Sequence, residues 1–449
     1  MSSHEIPTPG RVTSWLMRTN PFAFSLYAIL AAFGTYFCMY AFRKPFGAAQ
    51  YEGLMFFVTV IDLKISLTIS QVVGYASAKY LGLKFCSEVT RSQRPSMLVS
   101  LIVCAEGGLA LFAILPENWK FVGILLNGLS LGMIWGLVVR YLEGRRTSEI
   151  LLVGLSCSYI VASGIVKDIG KTILDNGFTD QFWMPVTTGG LFIAPFFLCV
   201  WFLNQLPEPT PEELADRVER VPMNASQRRQ FVRQFLPGLA LLMFVYLFLS
   251  AFREIRDMYG IDLLTELGEA SQAAVFSKTD MPIAIPVFLS LLLLNSIRGH
   301  VVGMVATFGI MVCGTVTLGI STARYDLGYI GPIAWMSLIG AGGYLTYVPY
   351  GTVVFDRLIA STRFSGTAVF AIYIADSLGY TGSICLQLYR VLGQGETSWE
   401  NFFRGMAYLL AVGGTVLLAL AGLYFVRKIQ QAQATPAPDP VSTEGYPTS

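Results

Sequence analysis

Stretches of about 20 predominantly apolar residues recur along this chain, and the hydrocarbon core of a bilayer is the solvent that selects for them. They fall at about 22–43, 62–82, 96–115, 119–140, 150–174 and 183–204, and again at about 235–256, 273–294, 299–320, 329–350, 364–390 and 402–426. In lipid every backbone polar group must be satisfied within its own segment, so such stretches are read as helices. Composition agrees. Of 449 residues, 54% are hydrophobic and 13% charged, whereas soluble domains carry roughly 25% charged residues. The mean hydropathy is +0.57. The expectation is an all-α polytopic membrane protein with twelve transmembrane helices in two pseudo-symmetric bundles of six. A single water-soluble domain, a disordered chain and a fibrous chain are excluded.

The chain divides accordingly into a tail (1–21), a first bundle (22–204), a linker (205–234), a second bundle (235–426) and a second tail (427–449). The first 21 residues are polar and lack a cleavage site, so the first span is expected to be retained. The linker, with Pro207, Pro209 and Pro211 and a run of charges, reads as solvated with one short amphipathic helix from Asn224 to Phe235. The last tail, rich in Pro, Ala, Thr and Ser, reads as disordered. With the N-terminus inside, the cytoplasmic segments hold eighteen Lys and Arg. The opposite segments hold only Lys44, Lys120 and Arg324. That bias places both termini in the cytoplasm of a multi-pass cell-membrane protein.

Other classes find little support. A net charge of +2 leaves no basic surplus for nucleic acid. Seven scattered cysteines without a Cys-x-x-Cys pair, and only His4 and His300, argue against a disulfide framework or a metal site. No cofactor motif and no catalytic constellation stands out, so the chain is not read as an enzyme. The partners implied are a small solute and membrane lipid. Asn224-Ala-Ser226 matches a glycosylation sequon but is assigned to the cytoplasmic side.

The halves repeat each other. Ala41-Phe42-Arg43-Lys44 closes the first span and Ala251-Phe252-Arg253-Glu254 the seventh, 210 residues on. Gly136-Leu-Val-Val139 recurs as Gly351-Thr-Val-Val354, and Tyr159-Ile160 with Ser163 as Tyr373-Ile374 with Ser377, at offsets of 215 and 214. Duplicated bundles around a midplane site are a transporter plan. Gly128, Gly132 and Gly136 on the fourth span, with Gly340 and Gly343 on the tenth, allow close helix contact, either for packing alone or at a rocking interface.

Charges inside spans cost at least about 2.5–3.5 kcal/mol each on insertion scales. The candidates are Arg43, Lys79, Glu106, Lys167, Asp168, Lys171, Arg253, Glu254, Lys278, Asp280 and Asp376. Lys167 with Asp168, and Lys278 with Asp280, are expected to pair or to snorkel. Glu106, deep in its span, either titrates or meets Arg140 or Lys79. Arg43 and Arg253 occupy equivalent places, so pseudo-symmetry points both at the centre. Two guanidiniums there repel unless an anion lies between them, and the guanidinium fork grips phosphate or carboxylate through two hydrogen bonds. The alternative is local neutralisation, Arg253 by Glu254 or Asp257.

At these residues the chain resembles the major facilitator superfamily and, more narrowly, is similar to its organophosphate:phosphate antiporter branch. Tyr36-x3-Tyr40-x2-Arg43-Lys44-x-Phe46 resembles that branch's first-span signature. Tyr75-x-Ser77-x-Lys79 resembles a second-span element with one residue inserted, and Ser87-Glu88-x2-Arg91 a degenerate loop motif. Gly132-Met133-x-Trp135-x4-Arg140, Gly366-Thr367-Ala368 and Leu378-Gly379-Tyr380 match in spacing. The resemblance implies Arg43 and Arg253 as a clamp on the solute, Lys79 as helper, and Tyr36, Tyr40, Tyr75 and Trp135 as lining, in a monomer. Tyr159 stands where that branch has a histidine, and Glu106 and Asp376 are additions. The expected function is alternating-access transport of a small anionic solute, organophosphates included, by exchange. The alternatives are a proton-coupled symporter or exporter with Glu106 and Asp376 as proton carriers, and a non-transporting solute sensor.

Overall fold

The computed structural model describes residues 10–57, 61–143, 145, 147–210, 212–213, 225–272, 274–297, 299–362, 368–393 and 397–434. The Gly366-Thr367 pair, residues 211 and 214–224 of the linker, the sequon asparagine among them, and the 435–449 tail lie outside them. So do the side chains of Ser87 and Glu88.

Helices begin where the sequence supplies a cap. A short α1 (Arg11–Leu16) precedes α2 (Pro21–Arg43), whose first turn is held by the Asn20 side-chain Oδ1 accepting from the Ala23 N–H at 2.8 Å, with Pro21 at the first helical position. There follow α3 (Leu63–Glu88), α4 (Arg94–Ile114), α5 (Lys120–Leu131), α6 (Ile134–Leu142), α7 (Ser148–Asp175) and α8 (Met184–Asn204). The second half holds α9 (Ala225–Met258), α10 (Gly260–Glu266), α11 (Val275–Ser296), α12 (His300–Asp326), α13 (Pro332–Pro349), α14 (Phe355–Thr362), α15 (Ala368–Gly393), α16 (Trp399–Leu409) and α17 (Thr415–Ala434).

Three details differ from expectation. The amphipathic stretch expected inside the linker is the first part of α9, which runs unbroken from Ala225 through Pro237, because Phe231 and Phe235 are buried and anchor it to the bundle. The expected tail is helical as far as Ala434. The fourth span is two helices, parted at Gly132–Met133.

Among the described residues, nine helices are long and apolar enough to cross a membrane. α3 and α13 miss that mark. Lys64, Gln71 and Lys79 dilute the first, and glycines with Tyr344 and Tyr347 the second. α15 lies at the eleventh expected position, with several side chains outside the described set.

The duplication is visible in the packing. In the first half α2 packs on α7 and α8, α5 on α3 and α4, and α4 on α8. In the second half α9 packs on α15 and α17, α13 on α11 and α12, and α12 on α17, which is the same scheme six segments later. The halves meet along α7–α11 and α3–α15, two seams that the same shift interchanges. At the first seam Gly164 is required, since a Cβ there would lie 2.9 Å from the Phe276 carbonyl oxygen. The expected glycine stripe packs inside one half: a Cβ on Gly128 would meet the Gln71 carbonyl oxygen and one on Gly132 that of Tyr75, both on α3.

Candidate functional site

The C-terminal end of α2 delivers Arg43 and Lys44 to the seam between halves, and the matching turn of α9 delivers Arg253, Glu254 and Asp257. The two guanidiniums, one from each repeat, converge on one carboxylate. Glu254 lies 4.0 Å from Arg43 Nη2 and 3.6 Å from Arg253 Nη2. Its Oε1 is also 3.6 Å from Lys44 Nζ, and it is 4% exposed. The Nε of each arginine and Oε1 of Glu254 are buried without a hydrogen-bond partner among the described residues.

Asp257, one turn along α9, takes Lys44 at 2.6 Å and Lys167 at 2.8 Å, and accepts the Ser163 hydroxyl. Four cations (Arg43, Lys44, Lys167 and Arg253) therefore face two carboxylates (Glu254 and Asp257) inside the protein. Such an excess of charge away from water is costly unless an anion completes it.

Aromatic rings surround the pair. The Arg43 guanidinium lies 4.1 Å from the Tyr75 ring centroid and 6.0 Å from that of Tyr40, and the Arg253 guanidinium lies 4.6 Å from that of Tyr347. These are cation–π distances. From Tyr36 a chain of rings crosses the molecule, with centroids 4.8 Å apart to Trp135, 6.0 Å on to Tyr159 and 6.2 Å on to Tyr344 in the other half. Tyr36 and Tyr75 also share a hydroxyl contact at 3.5 Å. Arg43, Arg253, Tyr36, Tyr40, Tyr75, Trp135 and Tyr159 are thus brought together.

Lys79 belongs to the α3–α15 seam. It pairs at 2.6 Å with Asp376, which also accepts the Tyr246 hydroxyl at 2.8 Å, and its ammonium lies 5.5 Å from the Tyr75 ring and 5.3 Å from the Tyr380 ring. Asp376 is thereby engaged by a partner that the sequence did not pair with it.

Glu106 stands apart, on α4 against Gly189 and Gly190 of α8. It meets neither Arg140 nor Lys79, because α4 turns this residue toward α8 within the first half; its Oε2 is buried and unpartnered among the described residues. The expected pairing of neighbouring charges is also replaced by pairing between elements. Lys167 takes Asp257, while Asp168 accepts the N–H groups of Phe276 and Ser277 at the start of α11. Asp280 takes Arg256 at 2.9 Å, and Lys278 donates to Gln272. Docking of the halves supplied the partners of Lys167 and Asp168, and packing within the second half those of Asp280 and Lys278.

Tyr344 and Tyr347 were missed. Their spacing of three on the expected tenth span places them on one helix face, and that spacing is the signal that marks them.

Helical halves repeated in packing, with a polar centre at their seam, define a two-bundle helical fold, and solved transporter structures share it. A D-xylose–proton symporter superposes with a TM-score of 0.59 at 14% identity, covering 93% of this chain and 100% of its own. A mutant of the peptide transporter POT in complex with sulfate gives 0.60 at 16%, covering 93% and 98%. The nucleoside transporter NupG gives 0.58 at 15%, covering 89% and 98%. No curated protein sequence matches. Over residues 45–428 the chain matches DUF5690, a family of unknown function, and it belongs to that family.

Proposed function

We propose that this chain is a secondary active transporter of the cell membrane with twelve crossings and both termini in the cytoplasm, and that it carries a small anionic solute, organophosphates included. The observation that carries the reading is the meeting of Arg43 and Arg253 at one buried carboxylate, with an unpartnered Nε on each among the described residues. A guanidinium fork binds phosphate or carboxylate through paired hydrogen bonds, and it does so most strongly away from water. Because one arginine comes from each half, a bound anion holds the halves to each other, which is what alternating access requires of a substrate. The structural neighbours named for transport of a sugar, peptides and a nucleoside share this fold and agree with carriage of a small solute.

Four cations against two carboxylates also bear on energetics. The loaded carrier is better compensated than the empty one, which favours exchange of one anion for another. The ring chain from Tyr36 to Tyr344 gives the organic body of the solute an apolar wall.

The test is a thermal-shift screen of the purified full-length protein against phosphorylated and carboxylated metabolites, repeated on Arg43→Ala. The expected hit stabilises the parent and not the variant; equal stabilisation of both would place the anion elsewhere. The unpartnered Glu106 oxygen favours a second reading, proton coupling through that residue. Uptake that acidifies the lumen of proteoliposomes, and ceases to do so in Glu106→Gln, would select it.

A further inference from the structure

Glu254 is the residue that a two-arginine anion site should not contain. A carboxylate of the protein already stands within 4.0 Å of both guanidiniums, where the proposed solute would bind. It fits the place poorly. Neither arginine is held by it at hydrogen-bond distance, its Oε1 makes no hydrogen bond among the described residues, and the Nε of each arginine stays unpartnered there too. A structural ion pair buried to this degree normally satisfies its hydrogen-bonding groups. Glu254 compensates charge without consuming the donors.

We propose that Glu254 is a tethered counter-anion: it stands in for the solute between Arg43 and Arg253 when the carrier is empty, and yields both guanidiniums when an anion binds. This rests on the anion-site reading above. The neighbours permit the handover. Lys44 lies 3.6 Å from Glu254 Oε1, so a carboxylate that leaves the arginines keeps a cation. Lys44 is shared with Asp257, which Lys167 also holds, so Asp257 has no need of the arginines. Beside the pair lie the rings of Tyr40, Tyr75 and Tyr347, over which the two guanidiniums sit at cation–π distance, a contact that takes up none of their N–H donors. A resident anion also has a kinetic consequence. It lowers the cost of moving the empty carrier, so an unloaded return becomes available beside exchange, and the solute must outcompete a carboxylate already in place. The site therefore selects for dianions over monoanions, since a single charge gains little by replacing another.

The experiment measures affinity of the full-length protein for sulfate, inorganic phosphate, glycerol phosphate and succinate, by calorimetry and thermal shift, in the parent, Glu254→Gln, Glu254→Asp and Arg43→Ala. Glu254→Gln keeps the shape and removes the competitor. It is expected to bind the anion that the parent prefers about tenfold more tightly, to melt at a lower temperature than the parent when empty, and to regain that loss on adding the anion. Glu254→Asp keeps a competing charge and is expected to stay close to the parent in affinity, which separates charge from fold. If Glu254→Gln binds no more tightly than the parent while Arg43→Ala still abolishes binding, the tethered-anion role is wrong and the site reading stands. If neither the parent nor Glu254→Gln binds any of the four anions, both fall.

Discussion

Lys44 and Glu254 hold the same place in the two repeats, each directly after the paired arginine, and they meet at 3.6 Å across the seam between the halves. A duplicated motif has been given opposite charges at its one differing position. Equivalent residues near a pseudo-twofold axis face each other, so like charges there would repel and unlike charges attract. The same axis brings Arg43 and Arg253 together, and their repulsion is what Glu254 relieves.

Replacing Arg43 with lysine tests the fork. Lysine keeps the charge but not the planar pair of donors. The expected outcome is loss of most anion binding, about 1.5–3 kcal/mol for lost charge-assisted hydrogen bonds, with little change in the melting temperature of the empty protein. Calorimetry and a melt of the same preparation check it.

Lys79 and Asp376 close the α3–α15 seam at 2.6 Å, with side chains 22% and 15% exposed. Removing one partner strands the other. Lys79→Ala or Asp376→Asn alone is expected to destabilise by about 2–3 kcal/mol, toward the lower end for a buried pair because water still reaches it. The swap Lys79→Asp with Asp376→Lys is expected to recover more than half of that loss, and a double-mutant cycle in thermal melts measures the recovery.

Gly164 permits the close approach of α7 and α11. With a Cβ only 2.9 Å from a backbone oxygen and 3.0 Å from Asp280 Cβ, Gly164→Ala forces the seam apart. A cost of about 1–3 kcal/mol is expected, typical of overpacking, together with slowed transport in proteoliposomes.

Glu106→Gln leaves the arginine cluster untouched, since Glu106 lies between α4 and α8 of one half. Anion affinity is expected to match the parent. Stability is expected to rise by about 1 kcal/mol, because a neutral amide is cheaper to bury than a carboxyl with an unpartnered oxygen. Reduced anion affinity in this variant would show that the carboxyl reaches the site.

Much of the site was legible because the residues that build it are expensive to place in lipid. Arg43, Arg253, Lys79 and Asp376 stood out against apolar surroundings, and the aligned Ala-Phe-Arg motifs already pointed two guanidiniums at one centre. Glu254 was visible as a charge inside a span and, with Asp257, as a local neutraliser of Arg253. Lys44 and Lys167, which they also meet, lie in the other half of the chain; the repeat aligns Lys44 with Glu254, but nothing in spacing pairs either lysine with Asp257.

By itself the sequence determined the membrane as solvent, the succession of helical segments, the duplication and the residues too costly to be idle. It could do so because insertion energies and helix periodicity are local properties of a stretch of chain. Apart from the neighbouring Arg253 and Glu254, which cation meets which carboxylate was decided by the tertiary structure. Ion pairing falls off within a few ångströms, and only the docking of one half against the other sets those distances. That docking joined Lys79 to Asp376 and Lys167 to Asp257, left Glu106 without an ion pair among the described residues, and put a single glutamate between two arginines.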